Sequence, residues 1–400
     1  MATKGKTIVL GITGSISAYK AADLAARFTK EGFRVDAVFT ESAMKFASPM
    51  TLRNLTGRPV VTTMWELSTE FSVEHVALSE AADVVLVAPA SANIIARLAN
   101  GIADDMLTCT VLATKAPVII APAMNDNMWA NQVTQDNVAK LKKRGFLFVG
   151  PAYGRLASGK MGLGRLTELD EIYGVTLQVL GKKGDLAGKH IVVTAGGTQE
   201  PVDPVRCLTN RSSGKMGYAI AEAARNRGAA VTLVSGPTTV TKPAGVKVID
   251  VKTAEEMLKA VLEATSKADA LIMAAAVADF RPARASGSKI KRRELGDLTL
   301  KLEKTPDILE QARGNFIRVG FAAESDNVIA NAVDKVKRKG LDLIVANNIT
   351  EKGSGFGTDT NRVAIIDSKG KVEELPLMSK YEVADRLLDR VAALIKKKSR

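Results

Sequence analysis

The chain predicts an α/β protein built from two doubly wound, Rossmann-like parallel-sheet domains, on three observations. A strand, a glycine-bearing turn, a helix and a second strand follow one another from residue 7 to residue 39, and the same plan restarts near residue 190. The strands are short apolar runs of the kind that sit buried in a sheet. The 400 residues suffice for two cores, and Gly181-Lys182-Lys183-Gly184 is a polar, glycine-bearing break between them. The expected domains are therefore 1–183 and 184–400.

In the first half, residues 7–10 read as a buried strand. Gly11-Ile12-Thr13-Gly14-Ser15-Ile16-Ser17 follows, with Ser17 as expected N-cap of a helix carrying Ala18, Ala21, Ala22, Ala25 and Phe28 and stopped at Gly32. Residues 35–39 make the next strand. The glycine spacing is G-x-x-G and no acidic residue closes that strand, so this is a phosphate-cradle turn without the dinucleotide fingerprint. Strands are expected at 83–87, 118–121 and 146–149. The first two lead into Ala88-Pro89-Ala90-Ser91-Ala92-Asn93 and Pro122-Ala123-Met124-Asn125, which puts small and amide residues where open parallel sheets bind ligands. Residues 156–165 read as a glycine-rich loop that could serve as a mobile lid. A helix over 168–180, with Thr167 as N-cap, closes the half.

In the second half, strands are expected at 191–194, 230–234, 270–273, 318–321 and 343–346. The first meets Gly196-Gly197. Pro201 and Pro204 hold the chain extended, and Ser212-Ser213-Gly214-Lys215 opens a helix with apolar Met216, Ile220, Ala223 and Ala224. Hydroxyls and a lysine at a helix N-terminus favour an anion, most plausibly phosphate. Lys289-Ile290-Lys291-Arg292-Arg293 reads as an exposed arm. Residues 299–302 and 363–366 are two β-like segments expected to form a hairpin-like accessory, and the basic tail from Ile395 is expected to be solvated and frayed.

Composition narrows the function. Hydrophobic residues are 46% and charged residues 25%, an ordinary soluble balance, and aromatics are only 4%, which argues against a surface reading single-stranded nucleic acid by stacking. The net charge of +13 suits anionic ligands or a solvated lysine surface, and no nucleic-acid motif accompanies it. Cys109 and Cys207 give no disulfide framework and fit a reducing cytoplasm. His75 and His190 are the two histidines, and no Cys/His cluster has zinc spacing. No signal peptide or bilayer-spanning run is present, so no membrane partner is expected.

With these stretches laid out, the chain resembles over both halves the bifunctional coenzyme A biosynthesis proteins, in which phosphopantothenoylcysteine decarboxylase is fused to phosphopantothenate–cysteine ligase. GITGSISAYK, APASANIIARLANGIADDML and PAMNDNMW resemble the flavin-dependent decarboxylase. AGGTQEPVDPVRCLTNRSSGKMG, AAAVADFRP, KIKR, TPDIL, GFAAES and DLIVANNI resemble the ligase.

The resemblance implies a flavodoxin-like flavoprotein fold for the first domain, with FMN as cofactor. Gly14, Ser15 and Ser17 would hold its phosphate, and Thr40, Ser91, Asn93 and Arg97 would surround the rest; the serines read equally as caps and turns. His75 matches the catalytic histidine and would act as base or orient the substrate, and Asn125 would bind the departing carboxylate. A C-terminal cysteine has no electron sink beside its carboxylate, and oxidation of the thiol to a thioaldehyde, the chemistry a flavin brings, supplies one. For the second domain the resemblance implies CTP-driven ligation of 4′-phosphopantothenate to L-cysteine through an acyl-cytidylate. Asn210 matches the residue that holds that intermediate and Lys289 the one that assists its formation. Asp279, Pro306, Asp307, Ile308, Leu309, Phe321, Lys335 and Lys339 match nucleotide-binding positions, the two lysines falling at i, i+4 on one helix face. Mg2+ bridging phosphates is implied, held by few protein ligands. A cytoplasmic homo-oligomer follows by the same resemblance, with flavin-domain trimers, ligase-domain dimers and a dodecamer overall.

The sequence departs from the family pattern in two places. Thr305 stands where asparagine is usual, and Ser158 stands where the lid carries a cysteine that protonates the enethiol. A thiol with a pKa near roughly 8.5 is a far stronger acid than a serine hydroxyl. Water or Tyr153 is the substitute donor this suggests. The alternatives are an active ligase fused to an impaired decarboxylase, or an FMN-binding regulatory scaffold.

Overall fold

The structure, a computed structural model, describes residues 5–65, 74–291, 299–324, 326–348, 351, 353–355 and 357–398. The chain divides into two units, Met1–Gly181 and Lys182–Arg400.

In the first unit β1 (Thr7–Ile12), β2 (Arg34–Phe39), β3 (Val60–Val61), β4 (Val84–Ala90), β5 (Val118–Pro122) and β6 (Leu147–Phe148) form one parallel sheet in the order β3-β2-β1-β4-β5-β6. Without the two-residue edge strand β3, the remaining five have the flavodoxin-like order 2-1-3-4-5. Ile8, Leu10 and Ile12 pack to one face with Leu24 and Phe28, and Val9 packs to the other with Ile95, Leu98 and Leu107. Helices therefore cover both faces, which is why the strands read as unbroken apolar runs. The winding direction reverses between β1 and β4, and ligand crevices open at such a point.

Two expectations for this unit are corrected. The N-cap after β1 is Ser15, whose backbone is extended at φ −141° and whose side chain accepts from the Ser17 N–H; a 3-10 turn, Ile16–Lys20, precedes the helix Ala21–Lys30. Ala18 N–H donates to Ser15 O at 2.9 Å, so the first turn already closes on Ser15. Residues 156–165 are not one loop. β7 (Ala152–Arg155) and β8 (Met161–Arg165) form a hairpin closed by a turn at its tip, where Leu156 N–H donates to Lys160 O at 2.8 Å. The glycines of β8 mark close approach rather than looseness, Gly164 to the backbone of Met124 and Gly162 to the side chain of Asp126.

The second unit contains β9 (His190–Ala195), β10 (Gln199–Pro201), β11 (Cys207–Thr209), β12 (Ala230–Ser235), β13 (Lys247–Asp250), β14 (Ala270–Met273), β15 (Phe280–Pro282), β16 (Leu302–Lys304), β17 (Ile317–Glu324), β18 (Leu343–Asn348), β19 (Thr360–Asp367) and β20 (Val372–Ser379). Its main sheet runs β13-β12-β9-β14-β17-β18-β19-β20. It is parallel as far as β18, and the last two strands are antiparallel. The segments 299–302 and 363–366 do not pair with each other. β16 pairs with β15, whereas Val363 and Ile365 face one core and Ile366 the other, as an interior strand requires. The tail is likewise not frayed from Ile395. The helix Lys380–Lys398 runs on because Leu387, Leu388, Val391 and Ile395 are buried along it. Ser399 and Arg400, like Arg292 and Arg293 of the basic run, lie outside the described residues.

A buried cation ties the start of this unit to its last helix. Arg227 is 6% exposed and reaches Asp185 at 2.6 Å, Asp389 at 2.9 Å and Asp385 at 3.1 Å. Among the described residues no helix is long and apolar enough to cross a membrane.

Candidate active sites

In the first unit the sheet brings the predicted cofactor residues to one edge. β1 lies between β2 and β4, so Gly14, Ser15 and Ser17 after β1, Thr40 after β2, and Ser91 and Asn93 after β4 leave the carboxyl ends of adjacent strands. Gly14 is required by crowding, since a Cβ there would lie 2.6 Å from Ser42 Cβ. Thr40 N–H donates to Ile12 O at 3.0 Å, and Ser91 N-caps the helix Ala92–Asn100 by accepting from Ile94 N–H at 3.3 Å. Neither the Ile16–Lys20 turn nor that helix has an acidic residue in its first turn. Two helical N-termini with hydroxyl caps and no competing carboxylate make a donor set that fits a phosphorylated flavin. Sequence reading passed over Thr13, whose buried hydroxyl donates to Pro89 O at 2.7 Å and accepts from Ser91 N–H at 2.9 Å, stitching the two turns together. Its only signal was its place inside the glycine turn.

The β7–β8 hairpin lies against the segment after β5. Met124 N–H donates to Gly164 O at 2.9 Å, and a Cβ on Gly164 would sit 2.3 Å from Met124 O. Asn125 follows, its side-chain oxygen accepting from Asn127 N–H at 3.0 Å. Ser158 is exposed in the tip, Tyr153 is 67% exposed on β7, and Gly159 takes φ +81°. Arg97 is oriented by Asp104 and Asp105, to which it donates at 3.0 Å each. His75 is half-buried on the helix Glu74–Ala81, and among the described residues no hydrogen bond joins it to the Gly14–Ser17 or Ser91–Asn93 segments. Neither free cysteine is near the tip by sequence or bond. Cys109 donates to Ala103 O at 3.3 Å, with burial and then Asp105 and Asp104 pushing its thiol up, and Cys207 lies on β11.

In the second unit, the loops after β9 and β14 are zipped together. Thr194 and Thr198 hydroxyls accept from Ala275 and Ala278 N–H at 3.0 Å each, and Ala276 N–H donates to Gly196 O at 2.8 Å. Asn210 joins this seam by donating from its side-chain nitrogen to Val277 O at 2.9 Å, two residues before exposed Asp279. Thr305 holds the same segment, its hydroxyl donating to Ala278 O and its N–H to Asp279 O. Pro306 and Asp307 follow, with Asp307 N-capping Ile308–Gln311, in which Ile308 and Leu309 are buried.

Asp307 also accepts from Lys339 Nζ at 2.6 Å, which closes the helix Val328–Lys339 over this segment. Burial pushes the Asp307 carboxyl up, but the Lys339 bond and backbone donors win and hold it below its ordinary value. One turn earlier, Lys335 is half-buried with no acceptor among the described residues. Burial, then Lys339, lowers its pKa against the opposing pull of Glu324 and Asp279. Phe321 lies half-buried on β17. Lys289 is exposed in the segment after β15. Lys215, expected as an anion ligand, is instead paired with Asp359 at 2.7 Å and Gly357 O at 2.9 Å, because the opposing loop supplies a carboxylate within its reach.

Comparison with known proteins accounts for both halves. The flavoprotein family model matches residues 1–181, and the model for the DNA/pantothenate metabolism flavoprotein C-terminal domain matches residues 186–395. The coenzyme A biosynthesis bifunctional protein CoaBC of Bacillus subtilis (strain 168) is 43% identical over 397 residues, 98% of each chain. That of Mycobacterium tuberculosis (strain ATCC 25618 / H37Rv) is 42% identical over 408 residues, 98% of this chain and 97% of its own. Among solved structures, the C-terminal domain of a coenzyme A biosynthesis bifunctional protein CoaBC is 40% identical, covering 54% of this chain and 99% of that one with a TM-score of 0.46. The chain belongs to the coenzyme A biosynthesis bifunctional protein family, and it is an enzyme that combines phosphopantothenoylcysteine decarboxylase with phosphopantothenate–cysteine ligase in one polypeptide.

Proposed function

We propose that the second unit, 184–400 by the sequence boundary, activates the carboxylate of 4′-phosphopantothenate with CTP and couples it to L-cysteine, and that the first unit, 1–183, decarboxylates the product with FMN. The observation that supports this best is the seam of Asn210, Asp279, Asp307, Lys335 and Lys339 at the carboxyl edge of one sheet, with a half-buried ammonium that has no acceptor among the described residues.

Ligation needs activation because a carboxylate is a poor electrophile. Its oxygen attacks the α-phosphate, pyrophosphate leaves, and the cysteine amine then displaces CMP from the acyl-cytidylate. Lys335 and Lys339 neutralise the triphosphate, which would carry its own Mg2+; among the described residues no cluster of three or more His, Cys, Asp or Glu side chains converges to hold a metal. Lys289 assists formation of the acyl-cytidylate. Asn210 has one amide hydrogen on Val277, which leaves the other hydrogen and its oxygen for the intermediate. Asp279, Pro306, Asp307, Ile308, Leu309 and Phe321 frame the nucleotide.

In the first unit Gly14, Ser15 and Ser17 bind the flavin phosphate, and Thr40, Ser91, Asn93 and Arg97 line the remainder. FMN, when bound, supplies the two-electron oxidation that gives the substrate carbon an electron sink and returns those electrons at the end. Asn125 binds the carboxylate that departs, and the β7–β8 hairpin shields it from water. His75 orients the substrate or takes its proton. Among the described residues it has no bond to the cofactor cluster of its own chain, which a site shared between copies in a flavin-domain trimer accommodates, and paired ligase units would extend such trimers to a dodecamer in the cytoplasm. With no thiol in the hairpin, final protonation of the enethiol falls to water or Tyr153, and a slowed last step is the second reading.

Incubating the purified protein with 4′-phosphopantothenate, cysteine and either CTP or ATP tests the ligase half. Pyrophosphate and CMP are expected with CTP, and release with ATP alone would overturn the nucleotide assignment.

A further inference from the structure

Lys289 stands on a segment fixed on both sides of it. Ser286 N–H donates to Val202 O at 2.9 Å, and the Ser286 hydroxyl donates to Ser288 O at 2.6 Å. Ile290 N–H donates to Asp203 Oδ2 at 3.2 Å, and Ile290 O accepts from Arg206 Nη2 at 3.2 Å. Positions 286 and 290 are thus pinned to the turn between β10 and β11, and Ser288 is tied to Ser286. The Lys289 side chain itself is exposed and makes no hydrogen bond or ion pair among the described residues.

The carboxylate that does the pinning carries one more acceptor oxygen than the turn requires. Asp203 Oδ1 accepts from Val205 and Arg206 N–H at 2.8 Å each, and these bonds alone would close an Asx-type turn that asparagine closes equally well. Oδ2 is left over on a side chain with no exposed surface. A buried carboxylate oxygen has to find donors, and Oδ2 has the Ile290 N–H and, at 3.6 Å, Arg206 Nη1.

We propose that Asp203 is a positioning residue for the activation step, holding the backbone beside Lys289 so that a free ammonium is presented from a fixed segment. This rests on the reading of Lys289 given above. A side chain on a loose loop would reach the same place only as one of many conformations, and a misplacement of about 1 Å costs on the order of 10²-fold in rate.

Asp203→Asn separates turn from tether, since the amide oxygen can still accept from Val205 and Arg206 while –NH2 cannot accept from Ile290. Pyrophosphate release from CTP and 4′-phosphopantothenate without cysteine, followed in a single turnover of the full-length enzyme, should slow on the order of 10²-fold, with the apparent CTP affinity changed less than about threefold. Combined with Lys289→Ala, the second substitution should add nothing further, because the positioned group is gone. A full additional loss in the double variant, or a rate within about threefold of the parent for Asp203→Asn alone, would overturn the proposal. Should Asp203→Asn not fold, Ser286→Ala loosens the same segment from its exposed side and decides by the same cycle with Lys289→Ala. A parent-like rate for Lys289→Ala would instead sink the assignment of Lys289, and this inference with it.

Discussion

Lys335 shows how burial prepares a residue for a ligand. Its ammonium is half-buried, depressed in pKa and without an acceptor among the described residues, while Lys339 four residues on is occupied by Asp307. An anion should therefore gain more from Lys335 than from Lys339. A hydrogen bond to a charged group is worth roughly 1.5–3 kcal/mol, so Lys335→Met should raise the KM for CTP by about ten- to a hundredfold. Initial-rate kinetics across CTP concentrations check it, and an unchanged KM would remove Lys335 from the nucleotide site. At Ser158 the chemistry is acidity rather than charge. Ser158→Cys should speed release of saturated 4′-phosphopantetheine over the enethiol, read by anaerobic product mass; equal rates would mean that the serine is no handicap. The residue types of both sites were legible in the sequence, but their partners were not. Nothing in the spacing says that Lys339 pairs with Asp307, that Lys215 goes to Asp359, or that Thr13 bridges two strands.

At the scale of elements, the hairpin β7–β8 carries the sharpest expectation. Gly164 lies so close to Met124 O that any Cβ must push the two backbones apart. Overpacking typically costs about 1–3 kcal/mol. Gly164→Ala should accordingly loosen the hairpin, slow decarboxylation more than ligation, and raise hydrogen exchange at Met124 and within β8; exchange unchanged at both would contradict the packing. Here the sequence misled, because glycines at alternate positions of a strand look like a loop until the neighbouring backbone is known. The buried strands β1, β4, β9 and β14 were plain in their apolar runs. The short strands β3, β10, β11 and β13 were not, since two to four residues carry no periodicity.

Across the whole molecule, two sheets with switch points supply two ligand edges, and the second is held to its own last helix by Arg227. The Arg227 hydrogen bond holds Asp185 below the ordinary carboxylate value against the opposing effect of burial. A carboxyl depressed by folding binds fewer protons in the fold than in the unfolded chain, so its stabilisation is present above the unfolded value near about 4 and fades as pH falls through the folded one. Asp185→Asn should lower the unfolding midpoint of the second unit at pH 7 and converge with the parent once pH has fallen through the depressed folded-state value; a shift equal at every pH would contradict the linkage. Arg227→Met leaves three carboxylates facing one another and should cost roughly 2–4 kcal/mol, less than a fully buried pair because the aspartates are partly exposed, as denaturant unfolding of the same unit would report. The two-domain plan was readable from composition breaks and repeated strand–turn–helix units. The antiparallel edge β19–β20 was not, since β19 carries the same apolar run, Val363 to Ile366, as the parallel strands, and β20 is partly polar.

The central claim is that one polypeptide performs both steps in sequence. The most direct measurement is a mass analysis of products after incubating the flavin-loaded, purified full-length protein with 4′-phosphopantothenate, L-cysteine, Mg2+ and CTP. Pyrophosphate, CMP, carbon dioxide and 4′-phosphopantetheine in equal amounts are the predicted result. A preparation that takes up no flavin and liberates no pyrophosphate from any nucleoside triphosphate would contradict it.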